Sequence, residues 1–321
     1  MKIVLANVDY QSHTSSEGNE LQLGLEHAGW RLCGRGYDGI QDVRELLKRY
    51  DPSAVFLQDK RDWDPRSPGS FRKDVGFAGL DALRARSDLL KICVVKDAGS
   101  VRRYHFHHCE EVSATAVMNY YHERSVLELN PWLRRLPLIR TYHSIDADFC
   151  RDLPFTAGRK RAVVTGATSA VYPVRERVMK AVLADRSLGI DVYGHPGYHN
   201  RGHHTPDYLR MLSGYRVHVA TASRYGFALR KLFESVSVGC TPVTNLPEYD
   251  VLPEINGALF RVSENASVAE VLDAVAAADQ SWNLDERLAW AQKAWAFYDW
   301  RAIGVRLSGL IDALIQQKVS A

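Results

Sequence analysis

The sequence predicts an α/β protein made of two doubly wound parallel sheets, one in each half of the chain. Three observations lead there. Short apolar runs of strand length alternate with longer amphipathic stretches, the mark of βα units around a parallel sheet. That alternation starts afresh near residue 160, after a polar segment. The length of 321 residues is enough for two domains that each bury a core.

In the first half, residues 2–8 read as a buried strand and 20–28 as a helix closed by Gly29. A second strand begins at 32–33, and the helix expected at 40–50 stops at Asp51-Pro52. The strand at 54–58 runs into a loop rich in Asp, Pro and Gly. A helix at 80–87 precedes the strand at 91–95, which ends at Lys96-Asp97-Ala98-Gly99. Further strands are expected at 116–119 and 138–141.

The second half repeats the alternation. Strands are expected at 162–165, 190–193, 217–220, 242–245 and 257–260, with helices at 174–184, 206–214 and 229–238 between them. Helices at 268–277, 284–297 and 303–317 close the chain. The reading divides the chain into residues 1–152, 153–302 and a last helix from 303 to 321 that crosses back to the first domain. Two such domains are expected to hold ligand in the cleft between them, outside the carboxyl ends of the strands.

Composition narrows the function. With 46% hydrophobic and 25% charged residues the chain is of the folded globular kind, and no run is apolar enough to span a bilayer. The opening MKIVLANVD does not read as a signal peptide. Five scattered cysteines without a CxxC pair fit reduced thiols, so a cytoplasmic protein is expected. A net charge of +3 is too small to announce a nucleic-acid binder.

The most informative stretch is 217–243. It reads as a strand, a loop holding Tyr225, Gly226 and Phe227, and a helix whose first turn carries Arg230 and Lys231. Glu234 follows one turn later, and Gly239 ends the helix. A helix N-terminus favours anions, and Arg230 and Lys231 beside it suit a diphosphate. A carboxylate such as Glu234 accepts hydrogen bonds from the two hydroxyls of a ribose. An ordinary core helix, with Leu229, Leu232, Phe233 and Val236 inward, is the competing reading of the same residues.

These residues resemble the donor-binding helix of the glycosyltransferases of GT-B architecture, two Rossmann-like domains facing across a cleft. The matching pieces are Gly226-Phe227, Glu234-Ser235 and the run from Gly239 to Pro242. The spore-maturation (CgeB-like) type is most similar. It pairs a core like Lys231-Leu232-Phe233-Glu234 to Gly239 with an upstream glycine and a Tyr-x-x-Arg, here Gly166 and Tyr172 to Arg175. The likeness covers residues 160–310. Gly226 stands where the family carries its first acidic residue, and one extra residue separates Gly239 from Pro242. The resemblance implies transfer of a sugar from a nucleotide-diphosphate sugar, such as a UDP-sugar, to an acceptor hydroxyl, with retention of configuration. It implies a donor site of Gly166, Arg175, His195, Tyr225, Gly226, Phe227, Arg230, Lys231 and Glu234. It implies no cofactor and no metal.

Two histidine-rich runs weigh against that last point, HPGYHNRGHH at 195–204 and HFHHC at 105–109. Zinc needs four converging ligands at fixed spacing, and Gly and Pro within the first run give no helical register to align them. His195 is instead expected beside the nucleotide base. For a general base acting on the acceptor, loops at strand ends offer His13 and Asp97. Basic and aromatic residues interleave at 102–105 and 132–135, a surface suited to an anionic acceptor such as a hydroxymethylated DNA base, although the small net charge disfavours nucleic acid. A nucleotide-sugar epimerase and a non-catalytic nucleotide-binding module are the other classes these motifs allow.

Overall fold

The computed structural model describes residues 1–6, 17–59, 77–96, 98–99, 102–194 and 204–320. The chain forms two compact units. Of the described residues, the first takes those up to Tyr142 except Glu17, together with Arg301 onward, and the second takes Glu17 and His143–Trp300.

The first unit is a six-stranded parallel sheet. Its strands are β1 (Lys2–Leu5), β2 (Arg31–Cys33), β3 (Ala54–Leu57), β4 (Leu90–Val94), β5 (Ala116–Asn119) and β6 (Leu138–Arg140), in the order β2-β1-β3-β4-β5-β6. β3, β4 and β5 are buried at every position, as strands covered on both faces must be. The helices between them are α1 (Glu17–His27), α2 (Val43–Tyr50), α3 (Arg102–Val112) and α4 (Glu123–Leu129). Asp42 caps α2 by accepting from Arg44 N–H. The helix expected at 80–87 is a 3₁₀ turn, Leu80–Ala85.

The second unit opens with α5 (Ala147–Arg151) and contains a five-stranded parallel sheet. Its strands are β7 (Lys160–Gly166), β8 (Ile190–Gly194), β9 (Tyr215–Val219), β10 (Thr241–Thr244) and β11 (Phe260–Arg261), ordered β11-β10-β9-β7-β8. The sheet grows to one side of β7 through β8 and to the other through β9, so the strand order reverses between β7 and β9. α6 (Pro173–Ala184), α7 (His204–Leu212), α8 (Arg230–Ser237) and α9 (Val268–Gln280) follow strands, and α10 (Leu284–Tyr298) comes after them. Val164, Val178, Val217, Val243, Val271 and Val275 meet in the core between this sheet and the helices α6 and α9. The strand expected at 257–260 is shorter: Asn256–Ala258 is a 3₁₀ turn and only Phe260–Arg261 pair with β10.

The last helix, α11 (Trp300–Ser320), starts three residues earlier than the sequence suggests. From Arg301 on it belongs to the first unit. Ser308 accepts from Trp30 Nε1 at 3.0 Å, and Asp312 pairs with Lys2 at 2.9 Å.

Candidate functional site

In an open α/β sheet, ligands bind beyond the carboxyl ends of the strands where the strand order reverses. In the second unit that place is the end of β7, at Gly166, beside the end of β9. Gly166 takes φ +111, a conformation closed to side chains. A Cβ on it would lie 2.9 Å from Arg175 Nη1 and 3.1 Å from Lys231 Cε. Two cations from different helices, α6 and α8, thus converge on one bare backbone position.

Arg175 is 2% exposed and anchored by its own unit. Its guanidinium donates to the carbonyls of Ala167 (3.2 Å) and Thr221 (3.3 Å) and lies 4.2 Å over the Tyr172 ring. Those carbonyls follow β7 and β9, so Arg175 pins the two loops that frame the switch point.

Lys231 lies in the first turn of α8. Its Nζ donates to Thr165 Oγ1 at 3.2 Å and to the Tyr208 hydroxyl at 3.3 Å, and sits 4.5 Å over the Tyr208 ring. Desolvation, with the Arg175 charge adding to it, lowers its pKa to about 8. Glu234, one turn on, is buried, and its Oε1 accepts from Arg230 Nε at 2.9 Å. Arg230 therefore turns back onto Glu234 and fixes the carboxylate. No side chain caps α8, whose N-cap is Leu229 in an extended conformation.

The 223–227 loop leads into this helix. Gly226 has φ +69, and a Cβ there would come 3.0 Å from Pro247 Cγ and 3.1 Å from the Tyr249 hydroxyl. An acidic side chain at this position would be both strained and crowded, which accounts for the glycine where the resemblance places a carboxylate. Phe227 is buried, with Tyr225 5.6 Å away ring to ring. Asn245 steadies the loop by accepting from Ala222 N–H at 2.8 Å.

Gly166, Arg175 and Lys231 are brought together, with Glu234 and Arg230 one turn along α8. His13, Asp97 and His195 lie outside the described residues. The basic run 159–161 serves the fold: Arg159 donates to Val238 O at 2.7 Å, Lys160 pairs with Asp191 at 3.0 Å, and Arg161 donates to Leu188 O at 3.0 Å. The HFHHC run forms part of α3, with His105, His108 and Cys109 on its buried face. Among the described residues no three His, Cys, Asp or Glu side chains gather as a metal site.

Sequence reasoning missed the residues behind Lys231. Thr165 on β7, Tyr208 on α7, His218 on β9 and Ser235 on α8 form one hydrogen-bonded cluster. A histidine inside the apolar run Val217–Val219 was the available signal, since a buried polar group there needs partners.

No protein-family model and no curated protein matches this chain. Solved structures do. Sucrose-phosphate synthase from Thermosynechococcus elongatus superposes over 99% of this chain and 100% of its own, with TM-score 0.58 and 10% identity. The fold is that of the GT-B glycosyltransferases. AviGT4, a glycosyltransferase involved in avilamycin A biosynthesis, covers 98% of each chain at TM-score 0.51 and 11% identity. Anabaena HepE in complex with UDP covers 97% of this chain and 99% of its own at TM-score 0.51 and 9% identity. No described helix is long and apolar enough to cross a membrane.

Proposed function

We propose that the protein is a glycosyltransferase that moves a sugar from a nucleotide-diphosphate sugar to an acceptor hydroxyl, with the donor held by the second unit. The observation that carries this reading is the convergence of Arg175 and Lys231 on Gly166 at the switch point, with Glu234 one turn along α8. Lys231 and the uncapped first turn of α8 receive the diphosphate. Glu234, oriented by Arg230, receives the ribose hydroxyls. Arg175 holds the loops and adds positive potential where the leaving diphosphate gains charge.

UDP is the nucleotide to test first, because HepE was solved with it. The spore-maturation type of donor site and the retaining course belong to this proposal, as do a metal-independent site, a cytoplasmic setting, and His13 or Asp97 as the group facing the acceptor hydroxyl. The domain roles, acceptor in the first unit and donor in the second, are part of it too.

The test is a thermal-shift screen of nucleotide diphosphates and their sugars on the wild type and on Glu234→Ala. A folded-state ligand raises the melting temperature as its concentration exceeds its dissociation constant. Stabilisation by one base, lost in the variant, supports the donor site. No shift at millimolar concentration with any nucleotide would sink it. Gly226 favours a second reading, a nucleotide-binding module without turnover, and release of UDP from a UDP-sugar in the presence of acceptors separates the two.

A further inference from the structure

The cluster behind Lys231 can be resolved proton by proton. Ser235 Oγ donates its one proton to Lys231 O, the carbonyl one helical turn back. Its contact with His218 Nδ1 must therefore be one in which the ring N–H donates. His218 is fully buried, and desolvation, with Lys231 and Arg175 adding to it, holds its pKa well below the usual value, so the ring is neutral. Its Nε2 is then an acceptor, and Thr165 gives it the hydroxyl proton at 2.9 Å. Thr165 Oγ1 is left with lone pairs only. These accept from the Tyr208 hydroxyl at 2.8 Å and from Lys231 Nζ at 3.2 Å. Tyr208, having donated, accepts from Lys231 at 3.3 Å.

Every proton in the cluster has one place, and the chain begins and ends on the same residue. It leaves Lys231 with two of its three ammonium protons committed, and among the described residues the third has no partner. We propose that Thr165 and His218 are positioning residues for Lys231. They form a buried Lys231–Thr165–His218–Ser235 chain that holds the ammonium at Gly166 with one N–H turned outward for an anionic diphosphate. The proposal deepens the donor-site reading above and rests on it for the identity of the anion.

Beyond the cluster itself, the charged groups facing Lys231 are Arg175 from α6, which opposes its charge, and Glu234 from its own helix, which favours it. Thr165 accepts from the ammonium more strongly than it would from the neutral amine, so it favours the charged form. Its loss therefore lowers the pKa of Lys231 further and weakens anion binding by about tenfold, as expected for one hydrogen bond to a charged group.

The experiment has a ligand-free arm and a ligand arm. In the first, ¹⁵N-histidine spectra, with His218 identified by its loss in His218→Asn, give the tautomer. The wild type shows the Nδ1–H form, and Ser235→Ala moves it towards Nε2–H. In the second, UDP affinity is measured against pH for the wild type, Thr165→Val and Thr165→Ser. Thr165→Val, close in shape to threonine, binds about tenfold more weakly with its inflection at lower pH, and Thr165→Ser restores both. A His218 ring in the Nε2–H form overturns the proposal, as does a Thr165→Val protein with unchanged affinity and inflection. A wild type that binds no UDP overturns the donor reading instead, and the tautomer still decides the chain of protons.

Discussion

At Gly166 the backbone lies in a region where any side chain is strained, and the space a methyl would fill is occupied by Arg175 and Lys231. Gly166→Ala is expected to cost about 1–3 kcal/mol of stability. Because the two cations must part to admit the methyl, it should also abolish UDP stabilisation in a thermal-shift assay. Lys231 sets two pH dependences of opposite sign. Its folded pKa of about 8 lies below the ordinary lysine value of 10.5, so between those values the unfolded chain binds more protons than the folded one. Stability of the free protein therefore gains from Lys231 as pH rises through that window. Nucleotide affinity does the reverse, since the anion needs the charged ammonium, and it falls above pH 8. Chemical denaturation and UDP titration from pH 7 to 10, on the wild type and Lys231→Met, check both signs. The variant should lose each dependence relative to the wild type.

Among the elements, α8 joins core to site. Phe233 is fully buried, with the Tyr298 ring 4.7 Å away, while Lys231 and Glu234 flank it in sequence. Phe233→Ala is expected to destabilise by about 3–5 kcal/mol, read as a shift in the urea midpoint. α9 tests a local rule: Ser267 and Glu270 form a reciprocal capping box, and Ser267→Ala should cost about 1 kcal/mol. α8 was legible in the sequence because Leu232, Phe233 and Val236 recur at helical spacing beside an anion-friendly first turn. α3 was not. Its buried positions are His105, His108, Cys109 and Val112, which keep the i, i+3, i+4, i+7 rhythm of a core face but spell it largely in polar letters. His218 was hidden for the same reason, as a polar residue whose partners come from β7 and α8, distant in sequence. Gly226 was legible as a departure from the resemblance, yet its cause, a positive φ crowded by Pro247 and Tyr249, needs contacts that no local pattern contains.

At the scale of the whole molecule, the chain passes from the first unit to the second at Tyr142–His143 and returns at Trp300–Arg301. The return is tight. A Cβ on Gly304 of α11 would lie 2.0 Å from Gly24 O of α1, so these helices meet backbone to backbone. Gly304→Val is expected to lower the melting temperature by roughly 2–4 °C per kcal/mol lost, with overpacking costing about 1–3 kcal/mol. Hydrogen exchange should place the loss in the first unit, where Ile303, Leu307 and Ile311 are buried. The same return reverses the usual order of biosynthesis, in which the domain nearest the N-terminus completes first. On the ribosome, residues 143–300 emerge as one uninterrupted stretch and have all their partners once Trp300 clears the exit tunnel. The sheet that begins at Lys2 must wait, with the surface facing Ile303 and Ile311 uncovered, until α11 is released. Within these residues the N-terminal sheet is completed after 143–300, and a holdase that shields α1 and β1 would act between the emergence of Trp300 and that of α11.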